Sequence, residues 1–210
     1  MTVKENIANK IRSGDSEVFR KFVDEYKDKA YSLCIKILKS PEDAEDALQE
    51  SFLKLYKSII ENQFESNSKL STYFYSIVYN TSVDLYKKKK RTGFNMISID
   101  IESSDYSDGD ELTTGIKEKI SDYDGVNTDQ EKNFNADFAK EIIEEYVNNL
   151  PHQYSIILNM FYLNELSHDE ISKILKIPLG TIKNRLFRAR EKLKFVILEK
   201  YSEEEIKELV

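Results

Sequence analysis

The stretch LSHDEISKILKIPLGTIKNRLFRAREKL, residues 166–193, interleaves basic side chains with regularly spaced Leu and Ile. Ser167 and Glu170 have the S-x-x-E spacing of a capping box immediately ahead of Ile171, Ile174 and Leu175, so a short helix is predicted from His168. Pro178 and Gly180 interrupt any continuous pattern, which ends that helix near Lys176 and starts another around Gly180 or Thr181. At 100° per residue Ile182, Leu186, Ala189 and Leu193 of the second helix fall within about a 60° arc, its predicted inner face. Asn184, Phe187, Arg188 and Glu191 point away from that face, flanked by Lys183, Arg190 and Lys194 on one side and Arg185 and Lys192 on the other. Residues 183–194 carry six positive charges and one negative. A solvated amphipathic face accounts for the charges but gains nothing from Phe187. Two short helices joined by a tight turn have the dimensions of a helix-turn-helix, whose second helix enters the major groove; there Arg and Asn pair with base edges and an aromatic meets a thymine methyl.

The totals set the frame around this motif. A chain of 210 residues, 40% hydrophobic, is long enough for one large or two small packed domains. It contains no apolar run of about 18 residues to span a bilayer, and MTVKENIANKIRSGD lacks the apolar core of a signal peptide. Neither membrane insertion nor export is expected, and the lone Cys34, unable to form an internal disulfide, fits a cytoplasmic core residue. His152 and His168 are the only histidines, and the chain has no H-E-x-x-H, no G-K-[ST] loop and no cysteine cluster. No catalytic residue, metal site or cofactor is therefore predicted. The net charge of −7 argues at first sight against a nucleic-acid binder, because phosphate neutralisation is the main source of affinity for DNA. The charges are segregated, however: residues 95–135 hold eleven acids and three lysines, −8 in all, which leaves the rest of the chain at +1.

That acidic segment is rich in Asp, Ser, Gly, Thr and Asn without a sustained apolar period, so it is expected to be a flexible linker. A helix over Leu112–Ile120 would be marginal by itself. Two helical domains are predicted on either side, 1–94 and 136–210. In the first, Phe19, Phe22, Val23, Tyr26, Ala30, Leu33 and Ile37 form a buried stripe at helical spacing. Ser40, Pro41, Glu42 and Asp43 mark a helix start: an N-cap hydroxyl, a proline at the first helical position, and acids at the positive end of the dipole. That helix buries Ala44, Ala47, Leu48, Ser51, Phe52, Leu55 and Ile59, and the loop NQFESNSKLS leads to a third helix, about Thr72–Lys90, ending in KKKKR. With no strand alternation of any length, only three prolines and six glycines, the fold is predicted to be all-α.

These segments together resemble a family. LPHQYSIILNMFYLNELSHDEISKILKIPLGTIKNRLFRAREKL is similar to the promoter-upstream reading domain of the extracytoplasmic-function (ECF) group of bacterial RNA polymerase sigma factors. SGDSEVFRKFVDEY, SPEDAEDALQESFLKLY and FESNSKLSTYFYSIVYNTSVDLYKKKKR resemble, in order, the segments of the second sigma domain of that group. The resemblance spans about residues 7–91 and 137–198, and its specificity lies in the ordered set rather than in any one segment.

It implies a protein that recruits core RNA polymerase to promoter DNA, duplex and single-stranded, with an anti-sigma factor as a further candidate partner. The helix from Glu42 resembles the one that docks on a basic coiled coil of the polymerase; residues 41–50 hold five acids and no base, the complementary sign. Asp43, Asp46, Gln49 and Glu50 are the implied contacts. The loop and third helix resemble the element that captures the unpaired minus-ten strand, which implies DNA contacts at Ser66, Asn67, Ser68, Lys69, Tyr73, Asn80, Lys87 and Lys88, although core packing is the stronger expectation for Tyr73. For the minus-thirty-five element the implied base readers are Lys183, Asn184, Phe187 and Arg188, with Thr181, Arg185 and Arg190 on phosphates.

The chain departs from the family pattern at several positions. Ser66 stands where the family usually has Gly, Leu70 where it has Phe, Tyr73 where it has Trp, and Ser76 where Arg is frequent. Lys176 occupies a turn position where Gly is common, and a positive backbone angle there would cost a non-glycine on the order of 1 kcal/mol. From the residues alone a stand-alone helix-turn-helix regulator remains an alternative, but it leaves the acidic face of 42–50 and the aromatic loop without a purpose.

Overall fold

The computed structural model describes residues 3–64, 69–91 and 150–200; the acidic segment and the EEEIKEL tail lie outside the described residues. Among the described residues every regular element is a helix. The described residues fall into two units, one of residues 3–64, 69–91 and 156–183 and the other of residues 150–155 and 184–200. Residues 156–183 pack with the N-terminal helices in this structure.

The first unit opens with α1 (Val3–Arg12), which the sequence patterning did not single out; it buries Ala8 and Ile11, and Arg12 Nε donates to the Ile59 carbonyl at 3.1 Å. Helix α2 (Ser16–Leu38) is capped by Asp15, whose carboxylate accepts the Val18 N–H, and it ends at Lys39 in the left-handed conformation, φ 56°. Helix α3 (Pro41–Ile60) starts as predicted, with the Ser40 hydroxyl accepting the Asp43 N–H and Pro41 in the first turn, where no amide hydrogen is missed. Helix α4 spans Leu70–Arg91, two residues earlier at its start than the sequence pattern suggested.

The core lies between α2, α3 and α4. Of the α2 stripe, Phe22, Ala30, Leu33 and Ile37 are buried, while Phe19, Val23 and Tyr26 are half-buried at its edge. Small residues on α3, Ala44, Ala47 and Ser51, let the helices approach closely; the buried Ser51 hydroxyl is satisfied by the Ala47 carbonyl at 2.6 Å. Aromatic rings fill the wider end: Phe74 stacks on Phe52 at 4.6 Å and meets Phe22 edge-on at 5.5 Å. Cys34 is fully buried, and burial pushes its thiol up to about 11, partly opposed by Ser82, so it remains a protonated core side chain.

After α5 (His152–Leu158) the chain makes a π-helical turn, Asn159–Leu163, followed by α6 (His168–Leu175) and α7 (Leu179–Lys200). The predicted capping box is present on α6: the Ser167 hydroxyl accepts the Glu170 N–H, and the Glu170 carboxylate accepts the Ser167 N–H at 2.9 Å. The turn closes at Lys176, with φ 56° and ψ 38°, so the strained angle anticipated there is adopted by a lysine. Ser172 fastens the same turn, its hydroxyl donating to the Ile177 carbonyl at 2.6 Å. Helix α7 begins at Leu179, ahead of the predicted Gly180 or Thr181, because the Pro178 carbonyl already accepts the Thr181 and Ile182 amides. On α7, Ile182, Leu186 and Ala189 are buried and Leu193 half-buried, the predicted inner face. In the second unit, Lys192 holds its ammonium 5.9 Å from the centroid of the buried Tyr154 ring.

Candidate docking and nucleic-acid surfaces

Helix α3 turns one face to the core and a mixed face to solvent. Asp46, Gln49 and Glu50 are exposed, as are Leu53, Tyr56 and Ile60 further along. Residues 46, 49, 53, 56 and 60 follow the 3-4-3-4 spacing of a coiled-coil seam and lie within about an 80° arc. Leu53 is 69% exposed, which no requirement of the helical core explains. The acids of this face are legible in the sequence, whereas its apolar continuation is marked only by the heptad spacing of Leu53, Tyr56 and Ile60, out of phase with the buried Leu55 and Ile59. Asp43 stands apart from the other acids, paired with Lys89 of α4 and only 14% exposed at its side chain. Glu50 pairs with Lys54 one turn on, an exposed pair worth a few tenths of a kcal/mol at about this spacing.

On the second surface, Ser66, Asn67 and Ser68 lie outside the described residues. Lys69 is exposed at the start of α4, and Tyr73, one turn on, packs its half-buried ring 5.1 Å from the buried Phe64, so packing is its main contact. Asn80 and Lys88 are exposed and Lys87 half-buried. Thr72 is buried; its hydroxyl donates to Glu170 of α6 at 2.7 Å, and Lys69 Nζ stands 3.0 Å from the same carboxylate oxygen. Nothing in either local sequence announces this meeting of α4 and α6.

The third surface is the outer side of α7. Thr181, Lys183, Asn184, Arg185, Phe187, Arg188 and Arg190 are all half-buried, so each keeps accessible side-chain surface, and all seven fall within three turns of one helix. That is the concentration of charge and amide groups a groove-reading helix presents.

Among the described residues, a capped helix, a tight turn and a basic second helix make up a helix-turn-helix, the architecture of a large class of DNA-binding proteins. Two family descriptions match it in the expected order, Sigma-70 region 2 over residues 22–92 and Sigma-70, region 4 over residues 140–193. The ECF RNA polymerase sigma factor SigW of Bacillus subtilis is 34% identical over 197 residues, covering 92% of this chain and 96% of that one. The ECF RNA polymerase sigma-E factor of Haemophilus influenzae is 27% identical over 185 residues, 88% of this chain and 90% of that one. In overall fold the chain is similar to CnrH, solved in complex with the cytosolic domain of CnrY, with a TM-score of 0.61 at 14% identity over 95% of this chain and 100% of that one. It is likewise similar to the sigma factor RpoE of Bartonella quintana, solved with the anti-sigma factor NepR, with a TM-score of 0.57 at 18% identity over 87% and 98% of the two chains. The chain belongs to the ECF group of the sigma-70 family of RNA polymerase sigma factors. No helix among the described residues is long and apolar enough to cross a membrane.

Proposed function

We propose that this chain binds core RNA polymerase through the solvent face of α3 and directs it to promoters that carry a minus-ten and a minus-thirty-five element. The observation that carries this reading is the exposed seam of residues 46, 49, 53, 56 and 60, acidic at one end and apolar at the other. Such a surface suits a partner helix or coiled coil with a basic end, where the acids steer and orient the encounter and Leu53 and Tyr56 supply the buried anchor. Asp46, Gln49 and Glu50 are the polar contacts; Asp43, tied to Lys89, has a lesser part.

Residues 1–94 form the polymerase-docking and strand-capturing module, 136–210 the upstream module, and 95–135 the connection between them. Lys69 with Ser66, Asn67 and Ser68 takes the unpaired strand, and Asn80, Lys87 and Lys88 contact the DNA further along α4. On α7, Lys183, Asn184, Phe187 and Arg188 read base edges while Thr181, Arg185 and Arg190 hold phosphates and set the register. The chain acts in the cytoplasm, performs no chemistry of its own and needs no cofactor; an anti-sigma protein is the natural regulator of such an activity.

Run-off transcription with core polymerase, with and without this chain, tests the proposal beside duplex binding in the absence of polymerase. Promoter-dependent transcript that requires the chain is the expected outcome. Tight sequence-specific duplex binding without stimulated transcription would instead identify a stand-alone regulator.

A further inference from the structure

Glu170 does two jobs with two oxygens. Its Oε2 closes the capping box of α6, accepting the Ser167 N–H and hydroxyl, each at 2.9 Å. Its Oε1 meets α4, accepting the Thr72 hydroxyl at 2.7 Å and lying 3.0 Å from Lys69 Nζ, although Thr72 is 98 residues distant in the chain. The carboxylate side chain is 13% exposed. Burial raises its pKa, but the hydrogen bonds from Ser167, Thr72 and Lys69 together outweigh that and hold it at about 2, so it is an anion at neutral pH.

The contact continues along α2. Lys29 Nζ pairs with Glu165 at 2.7 Å, the Lys29 carbonyl accepts the Asn164 amide at 2.7 Å, and Asn159 donates to the Ser32 hydroxyl at 3.1 Å. Of these contacts the Lys29–Glu165 pair is exposed and open to screening by salt, while Thr72, Asn159 and Asn164 are buried, so the polar groups of the contact are largely satisfied by one another. An anionic oxygen on Lys69, backed by a hydroxyl, is also the environment a strand phosphate would take.

We infer that Glu170 is an intramolecular latch: in the free chain it occupies the Lys69 and Thr72 anion site, holds residues 156–183 against α2 and α4, and must be displaced before promoter DNA is engaged. The inference rests on the assignment of Lys69 to the unpaired strand. Chain geometry supports it from another direction. Helical rise and the three-residue turn 176–178 keep Arg188 within about 50 Å of Lys69 while the latch is closed. The centres of minus-ten and minus-thirty-five elements are about 25 base pairs apart, or about 85 Å at 3.4 Å per step. A closed latch and simultaneous contact with both elements exclude one another.

The test uses the full chain and the double variant Glu165→Gln/Glu170→Gln, since Gln at 170 retains the capping role. Nitroxide labels at Lys57→Cys and Lys173→Cys, both exposed positions, report the separation of α3 and α6; the buried Cys34 is not labelled. The native latch gives a single narrow distance, and the double variant shifts it to a broad, longer distribution. In parallel, affinity for a fluorescent mixed-sequence single-stranded DNA rises by about 5-fold or more in the double variant, as expected when a competing closed state is removed. That gain disappears when Lys69→Ala is added. Unchanged distances and unchanged affinity overturn the latch, and a longer distance without gain in affinity overturns its inhibitory role. If Lys69→Ala leaves the strand affinity of the double variant intact, the strand-site assignment itself fails and takes the latch with it.

Discussion

At Glu170 the physics of a single side chain can be followed through pH. Its folded pKa of about 2 lies below the ordinary 4.5, so its contribution to stability is fully present above about pH 4.5 and is lost as the pH falls from there through 2. Urea midpoints measured from pH 5 downward are expected to drop more steeply for the native chain than for Glu170→Gln, which has no carboxyl to protonate; parallel curves would deny the carboxylate this role. The capping half of Glu170 is legible in S-x-x-E, because its partners are three residues away. The half that faces Thr72 and Lys69 is not legible, because only the packed chain brings position 170 to position 72. Lys176 is the converse case: the family resemblance marks a turn position where Gly is common, and the left-handed angle found there is local chemistry of a helix C-terminus. Lys176→Gly should stabilise the fold by about 0.5–1 kcal/mol through relief of the left-handed backbone, seen as a raised thermal midpoint.

Among the elements, α3 and α7 show what periodicity can and cannot reveal. The inner faces of both were written in the spacing of Ala44, Ala47, Leu55 and Ile59 and of Ile182, Leu186 and Ala189, all of which are buried. The outer apolar seam of α3 escaped notice because a helix with hydrophobic residues on two sides reads, in sequence, simply as a more hydrophobic helix. Helix α1 escaped too, since a ten-residue amphipathic segment gains its stability from what it packs on. If the seam is the docking face, Asp46→Lys/Glu50→Lys should weaken association with core polymerase by about 10-fold or more while circular dichroism stays unchanged, and Leu53→Ala should weaken it through the dissociation rate. An unaffected affinity in both variants would place the interface elsewhere. On α7, Arg185→Ala is expected to weaken promoter binding uniformly and reduce the salt slope by about 1, whereas Asn184→Ala should alter the preferred base at one position. Promoter libraries read at two salt concentrations separate these outcomes.

For the whole molecule the governing quantities are reach and charge, and both sit in residues 95–135. Between Arg91 and Leu150 the chain has 58 residues, an extended reach of roughly 190 Å, ample for two promoter elements about 85 Å apart. Deleting 95–135 leaves 17 residues and at most about 60 Å, which strains any arrangement with both modules on their elements. The same segment carries −8, and without it the remaining chain is at +1, so its acids are expected also to hold down non-specific attraction to duplex DNA. Replacement of 95–135 by a neutral Gly-Ser segment of equal length separates the two effects. Deletion should lower transcription from two-element promoters by about 10-fold or more, with polymerase association retained because α3 is untouched. The neutral replacement should restore transcription while tightening non-specific duplex binding, most visibly at low salt. Should the neutral replacement fail to restore transcription, the acids themselves, and not the length of chain that carries them, would be what joins promoter reading to initiation.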